Sequence, residues 1–323
     1  MAADSSAGQL LIFGDSWACS QGDDRTWPEL LADRLGWTSL NAAEPSSNSR
    51  SLLSQALWLQ WMGESVSADA WAIVHTGGND LYFAPERQFG SFLGVGTARA
   101  ACSCLPWRRC CGSRLPLLGT VADNIGAFMD LMHELYGVSN FMLVGIPLTA
   151  SLPFVASTLK ALARGLPCLP QLGAQLLRRV NLLHLAELAI VGRAHRARRA
   201  AAGAFFDGAV VTLDEAAALD AVHAALVRRS DCGFGGNGRR GGDMDDGGEG
   251  IGGIGGSDGG APAARAHGVD ELWHDISHLS QLGHHALALE MERRFRKAAP
   301  DWEGHHGGGA VDAVPATAEV LRM

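Results

Sequence analysis

The sequence predicts an α/β protein in which a parallel β-sheet is covered by helices on both faces. Short, wholly or largely apolar runs at residues 10–13, 70–76 and 141–146 are typical of strands buried on both faces. Segments with a helical spacing of apolar residues lie between these runs, and such alternation of strand and helix favours a parallel sheet with two covering layers. The apolar fraction of 47% is ample for a sizeable core.

Local signals predict the individual elements in order. Trp27-Pro28-Glu29 opens the first helix, because proline suits a first helical turn, and Gly36 ends it. The polar-to-apolar changes further along the chain give the remaining boundaries. We expect strands at residues 37–41, 70–76 and 141–146 and within 205–213, and helices at about residues 52–62, 121–135, 171–199 and 279–295.

Two insertions are expected to interrupt a single domain that spans residues 1–303. Residues 81–117 are irregular and carry Cys102, Cys104, Cys110 and Cys111. Residues 233–260 are more than half glycine, and such a segment cannot bury enough apolar surface to offset its ordering entropy. We therefore predict a disordered insertion over residues 232–268, and a flexible tail over residues 304–323.

The composition excludes several classes of protein. A net charge of -8 argues against a nucleic-acid partner. No apolar run reaches the roughly 18 residues of a membrane-spanning helix, and no secretory signal is visible, so the expected location is the cytoplasm. Seven cysteines are an odd number and are expected to be reduced. The G-x-G-x-x-G and P-loop motifs are absent, and we predict no cofactor.

Three polar blocks carry the predicted chemistry. Ser16 follows the first buried strand, where open α/β sheets bind their ligands. A serine hydroxyl needs a base to accept its proton, usually a histidine oriented by a carboxylate. Asp275 and His278, three residues apart in a predicted turn before the last helix, have a spacing that lets both side chains face the same way. The amide of Asn79, after another buried strand, is suited to donating to an oxyanion, with the N–H of Ser16 as a second donor.

In this order, Gly14-Asp15-Ser16, Gly78-Asn79-Asp80 and Asp275-x-x-His278 resemble the motifs of the GDSL/SGNH hydrolase family. The resemblance covers about residues 9–80, 118–215 and 270–296. It implies a flavodoxin-like three-layer α/β/α fold with a parallel central sheet. It also implies a serine hydrolase that cleaves small-molecule, lipid or carbohydrate esters through an acyl-enzyme intermediate, without a cofactor or a metal.

The resemblance also implies a role for each site residue. Ser16 is expected to be the nucleophile, His278 the general base and acid, Asp275 the residue that orients it, and Asn79 an oxyanion donor. The family usually supplies one more oxyanion donor, the N–H of a glycine, and Ser46 occupies the matching place in this chain. The predicted oxyanion hole is therefore formed by Ser16, Ser46 and Asn79.

Other interpretations of the same residues stay open. An acyltransferase would use the same site with an alcohol in place of water, and a weakly active binding protein would retain the fold without turnover. His274 and His278 have a spacing that suits a metal ion, but the hydrolase interpretation already accounts for His278. The acidic residues within 243–249 lack the loop pattern of a calcium site.

Three further segments have more than one interpretation. Gly255-x-Ser257-x-Gly259 matches the nucleophile-elbow pattern, but no strand precedes it, and we reject it as a catalytic site. The cysteine-rich insertion is expected to be a variable surface loop, with reversible acylation or metal binding as alternatives. Residues 148–172 are expected to pack in the core, or else to line an acyl pocket.

Overall fold

The computed structural model describes residues 8–20, 24–82, 116–164, 169–202, 208–233, 272–274 and 278–300. Five strands and eight α-helices lie in this part of the chain. The strands are β1 (Gln9–Gly14), β2 (Thr38–Asn41), β3 (Trp71–His75), β4 (Asn140–Val144) and β5 (Val210–Leu213). The helices are α1 (Trp27–Leu35), α2 (Leu52–Met62), α3 (Gly78–Tyr82), α4 (Pro116–Tyr136), α5 (Pro153–Ala163), α6 (Leu169–Ala201), α7 (Glu215–Gly233) and α8 (Gln281–Ala298), and a 3-10 turn (Ser49–Ser51) precedes α2.

The five strands form one parallel sheet in the order β2-β1-β3-β4-β5. This is the flavodoxin-like order, in which the chain moves first to one side of β1 and then to the other. The change of direction leaves a crevice between the carboxyl ends of β1 and β3, where ligands bind in open α/β sheets. The predicted parallel sheet is confirmed, and its order creates the crevice that positions the site.

The two faces of the sheet are covered by different helices. Leu10 and Ile12 of β1 pack with α1, α7 and α8 on one face. Leu11 and Phe13 point to the opposite face and pack with α2, α4 and α6. All four of these side chains are 0% exposed, because successive residues of a strand point to opposite sides and both sides are covered. The predicted three-layer α/β/α fold is confirmed.

Three helices appear where the sequence analysis placed none, and the shortest of them is α3 (Gly78–Tyr82). Helix α5 lies within residues 148–172, where proline residues obscured the periodicity. Helix α7 begins two residues after the end of β5, and most of its apolar residues are alanines. Alanine is the best helix former, but it occurs on buried and exposed faces alike and therefore gives a weak hydrophobic pattern. Leu219 and Leu226 of α7 are nonetheless buried against the sheet.

The predicted insertions and tail fall largely outside the described residues, which omit 83–115, 234–271 and 301–323. At the edges of the first insertion, residues 81–82 belong to α3 and residues 116–117 to α4. Among the helices that the structure describes, none is both long and apolar enough to cross a membrane.

Candidate active site

The strand that precedes the candidate nucleophile ends at Gly14, and the side chain of Gln55 binds both backbone groups of this glycine. The side-chain amide of Gln55 donates to the Gly14 carbonyl at 2.8 Å and accepts from its N–H at 2.9 Å. Gly14 has φ 146°, and a Cβ atom there would lie 1.9 Å from the carbonyl oxygen of His75. Only glycine permits β1 and β3 to approach this closely, so the turn after β1 begins at a fixed point.

Asp15 organises the turn that contains Ser16. Its carboxylate Oδ1 accepts the N–H of Trp17 at 3.1 Å, and its carbonyl accepts the N–H groups of Ala18 and Cys19, each at 3.0 Å. Asp15 itself is buried, whereas the side chain of Ser16 is only partly buried. The turn therefore presents the Ser16 hydroxyl at the carboxyl end of β1, as the sequence predicts.

His278 reaches Ser16 from the far end of the chain. The two residues are 262 positions apart, and Nε2 of His278 lies 3.1 Å from Oγ of Ser16. Two backbone hydrogen bonds fix the approach, from His274 N–H to the His278 carbonyl at 2.9 Å and from Ser280 N–H to the Leu272 carbonyl at 3.0 Å. Asp275 lies outside the described residues, so its role as the orienting carboxylate stays a prediction.

The loop before α2 adopts the conformation that a glycine would favour. Ser46 has φ 61° and is the one non-glycine residue in the left-handed region within the described ranges. The neighbouring Ser47 is anchored, since its hydroxyl donates to the Gly14 carbonyl at 2.7 Å. The backbone N–H groups of Ser16 and Ser46 make no hydrogen bond to any residue that the structure describes, so both are available to a ligand.

Asn79 and Asp80, in the short helix α3 after β3, tie this loop to the end of the sheet. Nδ2 of Asn79 donates one hydrogen to the Ser47 carbonyl at 2.8 Å, which leaves its second amide hydrogen for another acceptor. The carboxylate of Asp80 accepts the N–H and the hydroxyl of Ser49, each at 2.8 Å. Asn79 is thus held beside the Ser46–Ser47 backbone, and Asp80 fixes the loop through Ser49.

We expect Ser46→Gly to stabilise the protein by about 0.5–1 kcal/mol and to leave the conformation of the loop unchanged. A serine in the left-handed region costs roughly 1–2 kcal/mol, part of which glycine recovers, although its freer unfolded chain reduces the gain. The backbone N–H is retained. Urea denaturation with Ser54→Gly as the control tests this, because Ser54 is an exposed residue within α2, where glycine should destabilise. A loss of stability in Ser46→Gly equal to that of the control would contradict the expectation.

A small pocket adjoins Ser16 on the side of α1 and α8. It is lined mostly by polar side chains: Ser16, Trp17, Cys19, Asp24, Arg25, Thr26, His274, His278, Leu279, Ser280, Gln281 and His284. Burial lowers the pKa of His284 to about 4, so its ring is neutral and its Nδ1 accepts the N–H of Trp27 at 3.2 Å. The described residues contain no cluster of three or more His, Cys, Asp or Glu side chains suited to a metal ion.

Sequence reasoning missed a buried ionic group next to the Ser16 turn. Nε2 of His75 lies 2.5 Å from Oε2 of Glu215, and its Nδ1 lies 3.4 Å from Oδ1 of Asp15. Burial acts to lower the pKa of His75, but the charges of Glu215 and Asp15 outweigh it and raise the pKa to about 10. The available signal was a histidine in the otherwise apolar strand AWAIVH.

No protein-family model and no curated protein matches the chain in sequence. Several solved structures are similar to it. One is a member of the lipolytic protein G-D-S-L family from Veillonella parvula, with 11% identity and a TM-score of 0.40, covering 90% of this chain and 100% of that one. Phospholipase A1 from Streptomyces albidoflavus has 14% identity and a TM-score of 0.40, covering 67% and 83%. An acetyl xylan esterase from Geobacillus stearothermophilus has 12% identity and a TM-score of 0.40, covering 95% and 100%.

Proposed function

We propose that this protein is a serine hydrolase that cleaves carboxylic esters through an acyl-enzyme intermediate. The observation that carries the proposal is the 3.1 Å contact between Oγ of Ser16 and Nε2 of His278, at the crevice where the strand order reverses. A hydroxyl within hydrogen-bond reach of an imidazole nitrogen is the arrangement that activates serine as a nucleophile. A merely structural serine would not need a histidine delivered from 262 residues away.

In the first half of the reaction, Nε2 of His278 accepts the proton of Ser16 while Oγ forms a bond to the ester carbonyl carbon. The resulting tetrahedral intermediate carries a negative charge on the former carbonyl oxygen. When the intermediate collapses, the bond to the leaving oxygen breaks and His278 returns the proton to the departing alcohol. Asp275 is proposed to hold the imidazole in the tautomer that keeps Nε2 free of a proton.

In the second half, a water molecule takes the place of the alcohol. His278 accepts a proton from the water, the hydroxyl attacks the acyl carbon, and the bond to Oγ breaks as Ser16 regains a proton from His278. The products are the free acid and the alcohol. Both halves of the proposed reaction proceed without an oxidant, a reductant or a cofactor.

The oxyanion is proposed to bind to the N–H groups of Ser16 and Ser46 and to the amide of Asn79. Both backbone groups lack another acceptor within the described part of the chain, and Asn79 keeps one amide hydrogen free of Ser47. Donors that are fixed before the reaction stabilise developing charge without reorganisation. The left-handed Ser46 supports this assignment, since its backbone has the conformation that the glycine of the family pattern would favour.

Product analysis on a series of p-nitrophenyl esters, from acetyl to long acyl chains, tests the proposal. We expect the wild type to release p-nitrophenol and free acid in equal amounts, and Ser16→Ala to release neither above background. Added short alcohols should not divert the acyl group, whereas a transferase would form a new ester. Equal turnover by wild type and Ser16→Ala would refute the proposed function, and ligand binding without turnover would identify a binding protein.

A further inference from the structure

A buried row of three ionisable side chains, Asp15, His75 and Glu215, lies beside the turn that carries Ser16. Their side chains come from the ends of β1 and β3 and from the start of α7, and the residues are 2%, 1% and 0% exposed. Ester cleavage as described above assigns no role to any of them. Buried charges are costly unless they are paired, and the pairing of these three side chains places a cation beside the turn that carries the proposed nucleophile.

The charges of the row depend on one cation between two acids. Glu215 and Asp15 hold His75 in its protonated form with a pKa of about 10, against the opposing effect of burial. Burial raises the pKa of Glu215, and the positive charge of His75 opposes that rise. The third titratable group that faces His75 is His184 on α6, whose pKa is lowered to about 4 by burial and by the charge of His75. His184 is therefore neutral, and His75 is the cation of the row.

His75 makes three contacts with the turn that contains Ser16. Its Nδ1 faces the Asp15 carboxylate, whose Oδ1 also accepts the N–H of Trp17. Its backbone carbonyl accepts the N–H of Asp15 at 3.2 Å. Its ring stacks against the ring of Trp17, with centroids 6.3 Å apart and planes inclined by 25°, and Trp17 lines the pocket beside Ser16. Both residues adjacent to Ser16 in sequence are thus held by His75.

We propose that His75 is a positioning residue for the nucleophile: its imidazolium, anchored by Glu215, holds the Asp15 carboxylate and thereby fixes the turn that presents Ser16. The inference rests on the proposed function of Ser16. Without the cation, the buried carboxylates of Asp15 and Glu215 would lose their counter-charge and repel each other. The Asp15 carboxylate, which accepts the N–H of Trp17, would then move. A misplacement of about 1 Å in the reacting groups is enough to lower a rate by about 100-fold.

Steady-state kinetics of His75→Gln test the effect on catalysis. We expect kcat to fall by about 10- to 100-fold with KM changed less than about threefold. In an Asp15→Asn background the same substitution should cost much less, because the charge that His75 balances is already gone. The matched control is His195→Gln on α6, which removes another buried histidine whose Nδ1 lies 2.7 Å from Oδ1 of an acid, Asp130 on α4. This control should lose stability while kcat stays within about threefold.

Hydrogen exchange of the backbone amides provides a measurement that does not need activity. The amides of Trp17, Ala18 and Cys19 all donate to Asp15, so their exchange should accelerate in His75→Gln and stay unchanged in His195→Gln. If His75→Gln does not fold, Glu215→Gln is measured instead. This substitution removes the negative charge that anchors His75 and keeps the shape of the Glu215 side chain. Additive kinetic losses, or unchanged exchange at these three amides, would overturn the proposal.

The protonation of His75 is measurable in the wild type. Its ring nitrogens should give the ¹⁵N shifts of an imidazolium at pH 8, and a neutral ring there would overturn the proposal.

Because the pKa of His75 rises from its usual 6.5 to about 10 on folding, its contribution to stability is complete below about pH 6.5 and is lost as the pH rises through about 10. The urea midpoint of the wild type should fall over this range, and that of His75→Gln should fall less. If no turnover depends on Ser16, the proposed function fails, whereas the exchange and NMR measurements still decide the role of His75.

Discussion

Replacement of His278 by alanine should lower kcat for aryl-ester hydrolysis by about 10⁴- to 10⁶-fold, and adding Ser16→Ala should cause almost no further loss. In the proposed mechanism the two side chains act as one unit, because the hydroxyl attacks only while the imidazole accepts its proton. Their contact at 3.1 Å makes this coupling direct. Steady-state kinetics on the two single variants and the double variant, each with its folding checked by circular dichroism, measure the effect.

His274→Ala is the matched control for this prediction. His274 lines the same pocket as His278, but its side chain is exposed and makes no hydrogen bond to Ser16. Its loss should change kcat by less than about threefold. Losses in the single variants that simply multiply in the double variant would contradict the account, and so would an equal loss in His274→Ala.

Asn79→Ala should lower kcat by about 10²- to 10³-fold while KM changes little. Removal of one oxyanion donor has a cost of this size, since the lost hydrogen bond strengthens only as charge develops on the substrate oxygen. Asn79 also donates to the Ser47 carbonyl, so part of any loss would come from movement of the loop. Steady-state kinetics over the p-nitrophenyl ester series measure the separate effects on kcat and KM.

Asn124→Ala isolates the contribution of the loop. The Asn124 amide donates to the Ser49 hydroxyl at 2.8 Å and so anchors the same loop without being assigned to the oxyanion. We expect this variant to stay within about fivefold of the wild type in kcat. If Asn124→Ala and Asn79→Ala lose the same activity, Asn79 acts by anchoring the loop and the assignment as an oxyanion donor is wrong.

The strands of the sheet were predictable because burial on both faces leaves a simple pattern. β1, β3 and β4 each read as a short apolar run that stops at glycine, threonine or proline, and each was found within two residues of its expected limits. Helix α7 left a weaker pattern, since alanine fits a buried face and an exposed face equally well. The order of the strands was not derivable from local pattern, and it was the family resemblance that implied the flavodoxin-like arrangement.

Part of the candidate site's layout was predictable from the places of its residues along the chain. A serine directly after a buried strand led to Ser16, and the folded chain brings His278 within 3.1 Å of it. The role of Asp275 remains a prediction. The Asp15–His75–Glu215 row was missed because its members are far apart in sequence and each has an ordinary local explanation. A charged residue inside an apolar strand is the signal that would have drawn attention to His75.

Fluorophosphonate labelling tests the identity of the nucleophile most directly, because the probe forms a covalent bond with an activated serine. We expect the wild type to be labelled on the tryptic peptide that contains Ser16, and Ser16→Ala to remain unlabelled. His278→Ala should be labelled far more slowly, since its serine lacks a base. Labelling of Ser16→Ala at the rate and extent of the wild type would contradict the account.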